Sequence, residues 1–342
     1  MSRNARRELA IKNPQVRIRR DPFLGISDSI QRLKSMAQSI LGTSLPILIQ
    51  GETGTGKGVL ADWLTENGPR SSEPFIELNC AGFSKELLET ELFGQEERGF
   101  NGAITYKAGL LESAQRGTLF LDELGDMDLQ IQPKLLQVLD KGRFRRVGGV
   151  RDHEVDIHVI ASSHRNLAAL VADEKFRPDL FFRVNAMSLV IPPLRDRIDD
   201  IPMIAQCFLE QFEREQGYGH LELGKGVVNA LKIYSWPGNL RELHNLLERA
   251  ALLCKEGVIR REDLLFQFPT PAPAAAQPAQ FVPHSGSEER ELTLKELERQ
   301  YISYILQKEN GKTGRAAAKL GIPQTTFYAK LKQFNISSHR DK

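Results

Sequence analysis

Short apolar runs alternate with stretches of helical periodicity along this chain as far as about residue 195. The runs are PILIQ (46–50), PFIELN (74–79), GTLFLDE (117–123), VDIHVIAS (155–162) and MSLVIPP (187–193). Several are apolar at every position, as expected of strands in a parallel sheet covered by helices on both faces. Residues 22–195 therefore read as an α/β domain. From 196 to 266 the strands stop, and DDIPMIAQCFLEQFEREQ, KGVVNALKIYSW and NLRELHNLLERAALLC place apolar residues at helical spacing. This predicts a small all-helical subdomain.

The stretch PTPAPAAAQPAQFVPHSGS (269–287) breaks every periodicity. Its prolines and small residues predict an extended linker, bounded here as 267–288. A last helical region, 289–342, follows. Within it KTGRAAAKLGIPQTTFYAKLKQF (312–334) reads as two helices joined by a tight turn at Gly321. Ala316, Ala317 and Leu320 would pack the first helix, and Ile322, Phe327 and Leu331 the second. This is a helix-turn-helix pattern, whose second helix enters the DNA major groove. A protein-binding three-helix unit would show the same apolar spacing. The amphipathic stretch before it (Leu292, Leu294, Leu297, Tyr301, Ile302, Ile305, Leu306) is either a dimer face or part of the same core.

Charge separates these readings. The chain has 342 residues and a net charge of +2. Residues 1–21 carry seven Lys/Arg against two Asp/Glu, and residues 310–342 carry seven against one, so the middle is acidic. Basic ends on an acidic body place any polyanion contact at the ends, and favour DNA binding for the last helices. For residues 1–21 the composition favours a solvated basic tail. No apolar run approaches the roughly 18 residues of a membrane span. The three cysteines, Cys80, Cys207 and Cys254, have no metal-ligand spacing and fit reduced thiols in a cytoplasmic protein.

Two motifs carry chemistry. In GETGTGKG, directly after the PILIQ strand, Gly51, Gly56 and Lys57 stand at the fixed positions of a phosphate-binding loop. Such a loop, here Gly51, Glu52, Thr53, Gly54, Thr55, Gly56, Lys57 and Gly58, turns backbone N–H groups toward one point, and its lysine adds a point charge for the β- and γ-phosphates. The hydroxyl residue usual after the lysine is replaced by Gly58. In GTLFLDE, apolar residues bring Asp122 and Glu123 to the end of a buried strand. Beside a phosphate-binding loop, the first carboxylate is suited to hold Mg²⁺ and the second to orient or deprotonate an attacking water.

Together with FIELNCA, ELFGQE, KLLQVLDKGRFRRVGG, FRPDLFFRVN, PPLRDRIDDIP and WPGNLREL, these motifs resemble the AAA+ ATPases. More specifically they resemble the bacterial enhancer-binding proteins that activate sigma-54 RNA polymerase. The likeness runs from about Phe23 to Leu265, and the last helices resemble the Fis-type domain that closes such chains. The resemblance implies an AAA+ P-loop fold with a helical lid, ATP and Mg²⁺ as cofactors, and ATP hydrolysis in a homo-oligomeric ring, expected to be a hexamer. It implies that Asn79 senses γ-phosphate and restrains Glu123. Arg177 and Arg183 would be arginine fingers reaching a neighbouring subunit's nucleotide. Arg241 would be the second sensor, on the lid.

Two further positions depart from the family. His164 stands where the first sensor has asparagine. The hexapeptide Arg98, Gly99, Phe100, Asn101, Gly102, Ala103 aligns with the sigma-54-contacting loop GAFTGA and keeps its aromatic tip, but Arg98 replaces glycine at the loop base. Two functions follow. One is a sigma-54-dependent activator that remodels the polymerase holoenzyme; the other is a DNA-binding regulator that uses nucleotide for assembly alone. In either, a dimeric C-terminal domain would read an upstream site. Gln324, Thr325, Thr326, Tyr328 and Ala329 lie on or near the reading helix, and Arg315, Lys330 and Lys332 are placed for phosphate. The short stretch ahead of the ATPase domain leaves regulation to a partner protein, to expression level, or to none.

Overall fold

The computed structural model describes residues 21–98, 104–217, 219–266, 294–309, 312–334 and 336. The basic tail, the loop residues Gly99 to Ala103, the proline-rich linker and Leu292 lie outside the described residues. The chain divides into two compact units, Met1–Pro271 and Ala272–Lys342.

Five parallel strands build the central sheet of the first unit: β1 (Ile47–Gln50), β2 (Phe75–Asn79), β3 (Thr118–Asp122), β4 (His158–Ser163) and β5 (Met187–Val190), in the order β2-β3-β4-β1-β5. Their alternation explains why the runs are apolar throughout. Leu48, Leu119, Leu121, Val159 and Ala161 face one hydrophobic core, while Ile47, Ile49, Phe120 and Ile160 face the other. Both faces are covered, so both sets of side chains are buried. On the second face lie α1 (Asp28–Ser39) and α2 (Lys57–Asn67), through Ile30, Leu33, Leu60 and Leu64. The first face is covered by α3 (Lys85–Phe93), α4 (Gln132–Lys141), α5 (Leu167–Ala172) and α6 (Pro178–Val184). Each strand is one to three residues shorter than its apolar run, where flanking residues such as Pro46, Pro74, Gly117 and Pro193 leave the ladder, and β4 runs one residue further, to Ser163.

Two antiparallel hairpins interrupt the alternation, Gln95–Arg98 with Ile104–Lys107 and Arg143–Arg145 with Asp152–Glu154. Neither reads as a strand pair in the sequence, since both are short and rich in charge.

The chain leaves β5 through Pro193 and enters the helical lid: α7 (Ile201–Gln216), α8 (Val227–Ile233) and α9 (Asn239–Leu253). A core of Ile201, Leu209, Phe212, Tyr234, Trp236, Leu243 and Leu247 joins them. Trp236 is fully buried and its Nε1–H donates to the Leu231 carbonyl at 2.8 Å.

The second unit holds α10 (Leu294–Lys308), α11 (Thr313–Lys319) and α12 (Gln324–Gln333). Ala316, Ala317, Phe327 and Leu331 are buried, with Leu320 and Ile322 packed against them, as the spacing predicts. The amphipathic stripe before them splits in two. Ile302, Ile305 and Leu306 belong to this core, whereas Tyr301 is 42% exposed.

Candidate functional site

The phosphate-binding loop begins where β1 ends. Gly51 N–H donates to Ser163 O on β4, and the loop closes on itself through Thr55 Oγ1, which donates to Glu52 O at 2.8 Å. Gly56, at φ 101°, is the N-cap of α2, and Gly54 has φ 82°. Side chains rarely adopt this region, and a Cβ on Gly54 would come within 2.3 Å of Gly238 O in the lid. The glycine at 54 is thus required twice, by conformation and by the lid's approach. Gly58 is different: a Cβ there would meet Phe120 at an ordinary 3.9 Å, so packing does not demand glycine.

Lys57 is 6% exposed, and its Nζ lies 3.2 Å from Gly51 O and 3.3 Å from Glu123 Oε1. A buried ammonium at a helix N-terminus, with an anion as its partner, is the arrangement a phosphate can enter. Asp122 and Glu123 stand beside it at the end of β3. Glu123 has φ 56°, a left-handed conformation uncommon outside glycine, which turns its side chain away from the strand line. Ser162 Oγ accepts from Glu123 N–H at 3.2 Å and donates to Asp122 Oδ1. The Asp122 carboxylate, oriented by Ser162, offers oxygen ligands of the hard type that Mg²⁺ prefers.

Asn79 meets Asp122 and not Glu123. Its Nδ2 lies 3.4 Å from Asp122 Oδ2, and its Oδ1 accepts from Ala81 N–H at 2.9 Å. Glu123 is held instead by His164, whose Nδ1 is 2.5 Å and backbone N 3.1 Å from Oε2. Burial pushes the Glu123 carboxyl up, but the His164 hydrogen bonds and the Lys57 charge together bring it below the ordinary value.

The lid meets the loop chiefly through Asn239 and Arg195, which the sequence motifs do not single out. Asn239, fully buried with φ 50°, donates from Nδ2 to Thr53 O at 3.1 Å and Glu52 Oε2 at 3.2 Å. Its Oδ1 accepts from Leu194 N–H at 2.8 Å. Arg195 grips Glu52 with both guanidinium nitrogens, at 2.7 and 2.6 Å, and the Arg195 and Asn239 bonds hold that carboxyl below its usual range. Arg241 donates its backbone N–H to Gly54 O at 3.3 Å, and its side chain is exposed beside the loop. The signal for Asn239 was present in WPGNLREL, but its left-handed backbone and its partners were not.

Arg177 and Arg183 do not join this cluster within the chain. Arg177 pairs with Asp179 at 2.7 Å, and Arg183 reaches Leu139 O at 2.7 Å and Asp140 at 3.0 Å. Arg98 closes the hairpin of the predicted contact loop opposite Ile104. The hairpin base is tied to its neighbour by Arg146, which bonds Glu112 at 2.7 Å and Glu96 at 3.1 Å and lies over the Tyr106 ring. Cys80 is buried, its thiol pushed up to about 12 by burial and nearby carboxylates, and takes no part.

In the second unit Gln324, Thr325, Thr326, Tyr328, Ala329 and Lys332 are exposed on α12, as is Arg315 on α11. Two side chains are engaged internally. Tyr328 OH is 2.9 Å from Thr313 Oγ1, and Lys330 pairs with Glu298 on α10. Among the described residues no helix is long and apolar enough to cross a membrane.

Comparison with known proteins adds the family. Residues 23–190 match the Sigma-54 interaction domain, 195–280 the AAA+ ATPase lid domain, and 293–334 the Bacterial regulatory protein, Fis family. The chain is 40% identical over 292 residues to the regulatory protein AtoC of Escherichia coli, covering 85% of this chain and 62% of that one. It is 36% identical to the DNA-binding transcriptional regulator NtrC of Azospirillum brasilense, covering 92% and 70%. A crystal structure of NtrX from Brucella abortus in complex with ATP superposes with a TM-score of 0.66 at 30% identity, over 92% of this chain and 69% of that one. The chain spans about six-tenths of the length of the first curated relatives it matches. With an AAA+ sheet, a lid seated on the phosphate loop and a closing helix-turn-helix, this chain belongs to the family of sigma-54-interacting AAA+ transcription regulators with a Fis-type C-terminal domain.

Proposed function

We propose that this chain activates transcription by sigma-54 RNA polymerase, binding DNA through its second unit and hydrolysing ATP in a ring formed with copies of itself. The observation that carries this reading is the meeting of Lys57 and Glu123, 3.3 Å apart at the start of α2, within the region that matches the sigma-54 interaction domain. The matched relatives named as transcriptional regulators, and the NtrX complex with ATP, support it. The bacterial cytoplasm, where DNA and polymerase meet, is the compartment such an activity requires.

In the proposed reaction the loop amides and Lys57 bind the β- and γ-phosphates. Glu123 accepts a proton from water; the water oxygen bonds to the γ-phosphorus, and the bond to the bridging oxygen breaks to leave ADP and phosphate. Mg²⁺, held by Asp122, would neutralise phosphate charge. Arg177 and Arg183, exposed on and just before α6, would supply cations to a neighbouring subunit's nucleotide, so the site is complete only in the ring. Arg241 would report the nucleotide to the lid. The loop between Arg98 and Ile104 would carry the resulting movement to sigma-54.

Trapping with ADP and a metal fluoride tests this. The unaltered chain is expected to form a stable complex with purified sigma-54 that Lys57→Ala does not form. DNA binding and ATP hydrolysis without any such complex would point to a regulator acting independently of sigma-54.

A further inference from the structure

The residue that orients Glu123 is not the one the family resemblance implies. Asn79 is committed elsewhere at both ends of its amide, with Nδ2 toward Asp122 and Oδ1 on Ala81 N–H. Glu123 has two fixed partners on one oxygen: the His164 backbone N–H at 3.1 Å and the imidazole Nδ1 at 2.5 Å, both to Oε2. The other oxygen, Oε1, faces Lys57. We propose that His164 is a positioning residue that clamps Oε2 of Glu123 and so presents Oε1 to the attacking water, which makes His164 a holder of the base and not a reader of the nucleotide. This role rests on the ATPase reading above.

The local backbone supports the assignment. His164 directly follows β4, whose last residue, Ser163, pairs with Gln50 on β1. Past the end of the ladder its N–H is free for a side-chain acceptor. Glu123 sits at φ 56° one residue past β3, with its own N–H on Ser162 Oγ, so the backbone already turns the carboxylate toward β4. The imidazole then supplies the second donor. A carboxylate with one oxygen fixed by two N–H groups loses rotation about its last bond, and the remaining oxygen keeps a single direction. When a γ-phosphate draws Lys57 away, Oε1 is released but Oε2 is not. Arg165, next along the chain, holds Asp126 at 2.9 Å, which keeps that neighbouring carboxylate from competing for the clamp.

The role separates from a nucleotide contact by which constant moves. His164 is partly exposed and its backbone bond survives substitution, so His164→Ala is expected to fold with an unchanged Tm. With the full chain, His164→Ala should lower kcat for ATP about ten- to a hundredfold, the range for a misplaced catalytic group, with KM within twofold. His164→Asn, which retains a side-chain N–H donor, should recover most of the lost rate. A raised KM with unchanged kcat would overturn the proposal in favour of nucleotide contact. Unchanged values for both would overturn it outright. If the unaltered chain shows no turnover under conditions that assemble it, the ATPase reading falls, and this role with it.

Discussion

Arg195 and Glu52 face each other in a two-pronged ion pair, 2.7 and 2.6 Å, between the phosphate-binding loop and the segment that leads into the lid. Asn239, at the first turn of α9, ties the same carboxylate to Thr53 O and to Leu194 N–H. The loop and the lid are therefore one hydrogen-bonded network. The first turn of α9, which carries Arg241, is thus bonded directly to the backbone and side chain of the loop.

The two partners of Glu52 differ in how much they hold. Arg195 and Glu52 are about half exposed, a setting in which ion pairs contribute about 1 kcal/mol or less. Asn239 is fully buried, and its removal strands the Leu194 amide, at about 1–3 kcal/mol for each unsatisfied group. Urea unfolding should show Asn239→Ala losing several times the stability lost by Arg195→Ala. Equal losses would mean that the buried amide does not anchor the lid.

The Glu52 pair also carries a pH signature. Arg195 first, and Asn239 second, lower its carboxyl from the ordinary 4.5, so the folded protein binds this proton less readily than the unfolded chain. The pair's contribution is complete above that ordinary value and is lost as pH falls through the lowered one. The difference in Tm between the unaltered chain and Arg195→Ala should be constant near neutrality and vanish in strong acid. A difference that grows on acidification would contradict the pairing.

The guanidinium groups of Arg177 and Arg183 pair with Asp179, and with Leu139 O and Asp140, rather than with the nucleotide-site residues of their own chain. If they complete a neighbour's site, Arg177→Ala and Arg183→Ala should each lower ATP turnover by about 10³ or more, the scale known for such arginines. Mixing either variant with Lys57→Ala subunits should restore part of the activity, since each supplies what the other lacks. No recovery on mixing would argue against a shared site.

On α12, Lys330 is paired with Glu298 and Lys332 is exposed, as is Arg315 on α11. A phosphate contact contributes about one unit to the slope of log affinity against log salt. Arg315→Ala and Lys332→Ala should each flatten that slope by about one, and Lys330→Ala by much less. A full unit lost at Lys330 would show that the Glu298 pair opens on DNA.

The sheet, the lid and the helix-turn-helix were legible because each depends on local periodicity. Leu48 against Ile47 and Ile49, or Ala316 and Ala317 against Phe327, follow from spacing alone once the period is known. The phosphate loop was legible for a related reason: Gly54, Gly56 and Lys57 are near neighbours in sequence, and the backbone conformation they adopt is a local property. The two charged hairpins were not, since both are short and rich in charge, and what joins one to the other is Arg146 reaching Glu96 and Glu112, far apart in the chain.

The chain's residues alone show a glycine-rich loop of the phosphate-binding pattern ahead of a pair of strand-end carboxylates, and a basic pair of helices near the end of the sequence. Only the folded structure decides who partners whom around Glu123 and Glu52. Asn79 turns to Asp122, His164 takes Glu123, and Asn239 and Arg195 meet a loop more than 140 residues away in sequence. Such pairings depend on where β3, β4 and α9 bring their ends together, and on left-handed turns at Glu123 and Asn239 that residue type does not announce. Periodicity fixes which face of an element is buried; it carries no information about which distant side chain waits at its end.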